Sequence, residues 1–112
     1  MNKSILIVDD DPQIAKLIDF RLSKQGYATH CLATAGAAID YVKQHRPPLL
    51  MLDIRLPDKS GIEVLKEVQK LSPDTHVIMI SAHADVKVAV ECMKEGAYDF
   101  VDRKSTRLNS SH

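Results

Sequence analysis

Ser4-Ile5-Leu6-Ile7-Val8-Asp9-Asp10-Asp11-Pro12 decides the fold. A β-branched and apolar run reaches a cluster of acids and stops there. Apolarity that is continuous rather than alternating suits a strand covered on both faces, as in a parallel sheet. Asp11-Pro12 then reads as a helix N-cap followed by proline at the first helical position. Ile14, Leu17, Ile18 and Leu22 follow at helical spacing, and Gly26 closes the helix.

The same unit repeats along the chain. Tyr27 to Leu32 predicts a short strand. Thr34 can cap a helix with Ala38, Tyr41 and Val42 on one face, stopped by Pro47-Pro48. Leu49 to Leu52 is a buried strand ending at Asp53. A loop with Pro57 and Gly61, where Gly61 can take a positive φ, leads to a helix carrying Ile62, Leu65, Val68 and Leu71, stopped by Ser72-Pro73. His76 to Ile80 is a fourth strand, ending at Ser81. Asp85 can cap a helix through Ala89, Cys92 and Met93 that ends near Gly96, and Tyr98 to Val101 begins a fifth strand. Strands alternating with helices predict an α/β fold with a parallel sheet.

The 112 residues are 45% hydrophobic and 27% charged, which bounds the chain to one domain. Fifteen Lys+Arg balance fifteen Asp+Glu, so the net basicity that marks nucleic-acid binding is absent, and no direct nucleic-acid contact is expected. No apolar run approaches the ~20 residues that span a bilayer. The run after Met1-Asn2-Lys3-Ser4 is too short for a signal peptide. A cytoplasmic location with no membrane partner is expected. Cys31 and Cys92 stand far apart in apolar surroundings and read as buried reduced thiols, with neither CxxC nor zinc spacing.

In parallel α/β sheets, ligands bind outside the carboxyl ends of the strands. There the sequence places Asp9, Asp10 and Asp53, with Ser81 nearby. Converging carboxylates repel one another unless a cation neutralises them, and oxygen-only ligands select a hard ion such as Mg²⁺. Asp53, ending the central strand, could then attack phosphorus as a nucleophile, with the Ser81 hydroxyl bonding a phosphoryl oxygen. Plainer roles exist: Asp11 as a helix cap, Ser81 as a strand-end polar residue, Phe100 as core, and His83 as a loop residue beside the site.

Ile5 to Asp11, Leu52-Asp53-Ile54-Arg55-Leu56-Pro57-Asp58-Lys59-Ser60-Gly61, Ile80-Ser81-Ala82-His83 and Glu95-Gly96-Ala97-Tyr98-Asp99-Phe100 together resemble the receiver domain of two-component response regulators, over residues 3–101. The flavour of Ser81 to Asp85 and of Gly96 to Phe100 is most similar to receivers fused to sigma-54-activating ATPase domains. The resemblance implies a flavodoxin-like fold, a doubly wound parallel five-stranded sheet of order 2-1-3-4-5. It implies that Asp53 accepts a phosphoryl group from the phosphohistidine of a sensor histidine kinase or phosphotransfer protein. It also implies that Asp10, Asp53 and the backbone carbonyl of Arg55 ligate Mg²⁺, with Asp9 acting through metal-bound water. Ser81 would be the switch hydroxyl and Phe100 the rotating aromatic. Together they would bias the face of the fourth helix and fifth strand, through which a dimer could form, toward an active state that drives a fused output domain.

The pattern breaks after Val101. The family expects Lys-Pro soon after Phe100-Val101, the Lys bonding the phosphoryl group. Here Arg103 holds the Lys position, no proline follows, and the final helix is missing. Arg103 keeps the charge as a planar fork rather than a compact ammonium, and Lys104 stands one residue late. The string Asp102-Arg103-Lys104-Ser105-Thr106-Arg107-Leu108-Asn109-Ser110-Ser111-His112 is the in-frame translation of a common sequencing-library adapter. A receiver domain over 3–101, with 102–112 as a non-native tail, is therefore expected. Without that tail the chain carries 12 basic and 14 acidic residues, a net charge of −2. In the family fold the first and last helices share one sheet face, so a chain lacking the last is expected to be unstable or partly molten, and to phosphorylate poorly.

Other functions fit less well. A haloacid-dehalogenase-like phosphatase wants a second Asp two residues after its nucleophile, where this chain has Arg55. A flavodoxin-like cofactor site wants a hydroxyl- and glycine-rich loop after the first strand, where Asp9 to Pro12 stands. A degenerate receiver used only as an interaction module would not keep Asp9, Asp10 and Asp53. Resequencing the source DNA with a different library chemistry is expected to replace the codons of 102–112, and persistence of the same eleven residues would overturn the reading of the tail.

Overall fold

The computed structural model describes residues 4–81 and 86–102. Strands and helices alternate: β1 (Ser4–Val8), α1 (Pro12–Lys24), β2 (Ala28–Leu32), α2 (Ala35–His45), β3 (Leu49–Asp53), α3 (Gly61–Leu71), β4 (His76–Ser81), α4 (Val86–Lys94) and β5 (Asp99–Asp102). All strand pairs are parallel, in the order β2-β1-β3-β4-β5. The expected fold class and strand order are those observed. Four helices lie among the described residues, which end with β5.

Local chemistry starts each of the first three helices. Asp11 accepts from Gln13 N at 3.0 Å ahead of Pro12. Thr34 Oγ1 accepts from Ala37 N at 3.2 Å, and Ser60 Oγ from Ile62 N at 3.1 Å. Each side-chain oxygen satisfies an amide that the first turn leaves unpaired. α1 gives way to Gly26 at φ +93°, and α2 ends at Arg46, held left-handed at φ +43° before Pro47.

Strand side chains alternate between faces, so the sheet carries two unequal cores. On one face Leu6, Val8, Leu50, Leu52, Val77 and Met79 pack against α2, α3 and Cys92 of α4. The other core is smaller: Ile5, Ile7 and Ala15, flanked by Ile18, Leu22, Leu49 and Met51. Among the described residues this face opens as an apolar groove of about 380 Å³, bounded by Ile14, Leu17, Met51, Ile80 and Val101.

Two sequence expectations need correction. Gly61 does not take a positive φ; among the described residues only Gly26, Gly96 and Arg46 do. It is the buried first residue of α3, and its smallness serves close approach. A Cβ there would collide with the Asp53 carbonyl oxygen and lie 2.8 Å from Ile54 Cα. Cys31 is exposed rather than buried, because β2 is an edge strand, whereas Cys92 is buried.

Thermal melts test the asymmetry of the two faces. Leu50→Ala, in the closed core, is expected to cost about 2–5 kcal/mol. Leu17→Ala, on the open face and 48% exposed, should stay near the ~0.5 kcal/mol of a surface change. Equal costs would contradict the asymmetry, and a cooperative melt of the unsubstituted chain above ~50 °C would contradict the expectation of a partly molten chain.

Candidate functional site

β1 and β3 are neighbours in register, with Val8 opposite Leu52. The residue after Val8 is Asp9, and β3 closes on Asp53, so the two acids emerge side by side at the carboxyl edge of the sheet. Their burial follows from that placement: Asp9 is 2% exposed and Asp53 6%. Asp10, one residue further, is exposed. One carboxylate oxygen from each of Asp9, Asp10 and Asp53 lies within 4.8 Å of the others. The three acids singled out in the sequence are thus brought together.

Backbone amides brace this cluster. Asp9 Oδ1 accepts from Asp11 N at 2.9 Å, and Asp9 N donates to Leu32 O at 3.1 Å, carrying the β1–β2 ladder one step further. Asp53 Oδ1 accepts from Arg55 N at 3.4 Å. The loop from β3 to α3 is drawn tight at its neck, where Gly61 N donates to Ile54 O at 2.6 Å and Arg55 pairs with Ser60 in an antiparallel bridge. This compact neck is what excludes a side chain at Gly61.

Ser81 ends β4 and is buried. Ile54 N donates to Ile80 O at 3.1 Å, so the strand end carrying Ser81 is tied to the loop that follows Asp53. Phe100 pairs with Met79 across β4 and β5 and is partly buried against the larger core. Ser81 and Met79 have the same strand parity, which places Ser81 and Phe100 on one sheet face. A groove of about 450 Å³ opens beside the acids, bounded by Asp9, Asp10, Pro12, Lys16 and Cys31. Although Cys31 is exposed as a residue, partial burial and then nearby Asp19 push its thiol above the usual range, which disfavours a reactive thiolate there. His83, Asp85, Arg103 and Lys104 lie outside the described residues.

Sequence reading missed the role of Asp58. This loop acid accepts from Ala35 N at 2.8 Å and Gly36 N at 3.0 Å, the first amides of α2. Those two amides, led by Ala35, hold its carboxyl below the ordinary value of 3.8. A lowered folded value means that its contribution is complete above the ordinary value and is lost as pH falls through the folded one. Partners 23 and 22 residues away leave no local signal in the sequence.

Chemically, the site offers hard oxygen donors at one edge and a buried hydroxyl nearby. Three carboxylates this close suit a hard divalent cation, with Asp9, Asp10 and Asp53 as the side chains able to hold it.

The chain matches the family described as response regulator receiver domain over residues 5–109, and it belongs to that family. Receiver domains of this kind are signalling domains rather than conventional enzymes. The regulatory protein AtoC of Escherichia coli is 36% identical over 97 residues, covering 87% of this chain and 21% of AtoC. The chain thus spans about a fifth of that relative's length. The receiver domain structure of a LuxO repressor protein from Vibrio parahaemolyticus superposes with TM-score 0.88 at 31% identity, covering 99% of this chain and 87% of that one. A CheY-like receiver domain structure from Methanospirillum hungatei gives 0.89 at 31% identity, covering 98% and 88%.

Two charges within 4.8 Å repel by about 1 kcal/mol even in water-like surroundings. Asp10→Asn is therefore expected to raise the metal-free melting temperature by a few degrees, since about 1 kcal/mol shifts a domain of this size by ~4–8 °C. A lower melting temperature would show that Asp10 is held by attractions stronger than this repulsion.

Proposed function

We propose that this chain is a phosphoacceptor switch in a two-component pathway, with Asp53 as the acceptor. The observation that carries the reading is the convergence of Asp9, Asp10 and Asp53 within 4.8 Å at the carboxyl edge of a parallel sheet. Family membership supports it. A carboxylate oxygen of Asp53 attacks the phosphorus of a phosphohistidine on a sensor kinase or phosphotransfer protein. The new O–P bond forms as the N–P bond breaks, and the histidine ring leaves as the neutral base after taking up a proton. Asp9, Asp10, Asp53 and the Arg55 carbonyl would hold Mg²⁺, which when bound neutralises the negative charge at the transferring group. Dephosphorylation by water at the same site is likewise self-catalysed, with no metabolite turned over.

Phosphorylation replaces the single negative charge of the Asp53 carboxylate with a phosphoryl group of about −1.5 to −2 and three acceptor oxygens. That charge draws the Ser81 hydroxyl toward it, and Phe100, on the same sheet face, is the aromatic that repacks. The change reaches α4, β5 and the segment between them, where Val86, Val90, Met93 and Tyr98 are exposed, a surface suited to a dimer. The output is transcription regulation through a further domain of the sigma-54-activator type, and the location is cytoplasmic.

Incubating the receiver, repaired to full length beyond Val101, with acetyl phosphate and Mg²⁺, followed by intact-mass measurement, tests the reading. A gain of one phosphoryl group is expected, dependent on Mg²⁺ and absent in Asp53→Ala. No gain, or a gain that survives the substitution, would reject it.

A further inference from the structure

Asp58 makes a contact that the phosphoacceptor reading does not use. α2 already has its own N-cap, Thr34, yet a helix start leaves four amides without intrahelical partners, and Thr34 Oγ1 meets the one on Ala37. Asp58 reaches across from the loop between β3 and α3 to take the amides of Ala35 and Gly36, at 2.8 Å and 3.0 Å. A carboxylate there also faces the positive end of the helix. The contact is therefore a second, remote cap that joins two segments far apart in sequence.

The joined loop is the one that leaves Asp53. Its neck is closed by Ile54, Arg55, Ser60 and Gly61, and Ile54 and Leu56 rest partly buried against the larger core. Its outer turn, Pro57 to Ser60, is exposed. Asp58 is the residue of that turn that is anchored to another element, and Arg55 lies three positions before it in the same loop. Motion of the turn is therefore transmitted to the Arg55 backbone, whose amide donates to Asp53.

We infer that Asp58 is a positioning residue for the acidic site: by tying the β3–α3 loop to the start of α2, it holds the Arg55 backbone beside Asp53 and so sets how tightly the site holds its cation. The inference rests on the phosphoacceptor reading. Asp58 itself touches neither the cation nor the phosphoryl group. Its effect is mechanical, and that separates it from a plain cap. A cap serves the helix alone, whereas this one serves the loop as well.

The test compares Asp58→Ala, Asp58→Asn and Thr34→Ala in the 112-residue chain. Mg²⁺ is titrated while the amide resonances of residues 53–60 are followed, and the acetyl phosphate reaction is measured across the same Mg²⁺ range. Asp58→Ala is expected to raise the half-saturating Mg²⁺ concentration by roughly tenfold, the scale seen when outer-shell partners of a metal site are lost. Its rate at saturating Mg²⁺ should stay near that of the unsubstituted chain. Asp58→Asn keeps one acceptor oxygen and should fall between, and it carries the comparison alone where Asp58→Ala does not fold. Thr34→Ala weakens the start of the same helix but leaves the loop anchored, so its Mg²⁺ midpoint should not move. An unmoved midpoint in both Asp58 variants, or equal shifts in the Asp58 and Thr34 variants, would overturn the inference. Failure of the unsubstituted chain to bind Mg²⁺ while its amide resonances are dispersed as in a folded domain would instead reject the reading beneath it.

Discussion

The structure depends on holding carboxylates closer than their charges favour. Asp9 and Asp53 are buried at adjacent strand ends, with Asp10 beside them. Nothing in their own chemistry draws them together. The parallel sheet does so, because β1 and β3 pair in register through apolar residues that have no alternative but burial. Burial of Leu6, Ile7, Val8, Leu50 and Leu52 supplies roughly 1.5–3 kcal/mol per side chain, and part of that offsets the repulsion at the edge. A hard cation at this edge would offset the repulsion among the three acids.

The loop after Asp53 is built to the same end by different means. Gly61 lets α3 start against the Asp53 carbonyl, the Ile54–Gly61 hydrogen bond closes the neck, and Asp58 fastens the outer turn to α2. Each contact is modest alone, on the order of 1 kcal/mol for a typical hydrogen bond. Together they leave the backbone around Arg55 few alternatives. Preorganisation of this kind lets an acidic edge select a cation without first ordering the chain around it.

The two sheet faces divide the remaining labour. The α2–α3–α4 face is closed and holds the large core, with Phe100 at its margin. The α1 face is shallower and opens as a groove between α1 and the ends of β3, β4 and β5. Stability is therefore concentrated on one side. The exposed apolar residues of α4 and the segment before β5 stand on an element pair that, among the described residues, contacts the sheet through few buried side chains, Cys92 and Ala97 among them. Elements anchored by few buried contacts are drawn from the low-stability end of a fold.

Much of this was legible in the amino-acid string. Continuous apolar runs ending in Asp9 and Asp53 state strands buried on both faces, and Asp11, Thr34 and Ser72-Pro73 mark helix boundaries, because those signals act over a few residues through caps and turns. The repeat of strand and helix then implies a parallel sheet, whose ligand edge gathers the acids. What tertiary structure alone decided were contacts between segments that the chain order separates. Cys31 is exposed because β2 falls at the sheet edge, Gly61 is small because α3 begins against a carbonyl, and Asp58 matters because α2 begins beside it. Local propensity carries no information about such neighbours; they exist only once burial of the strands has set where each loop must pass.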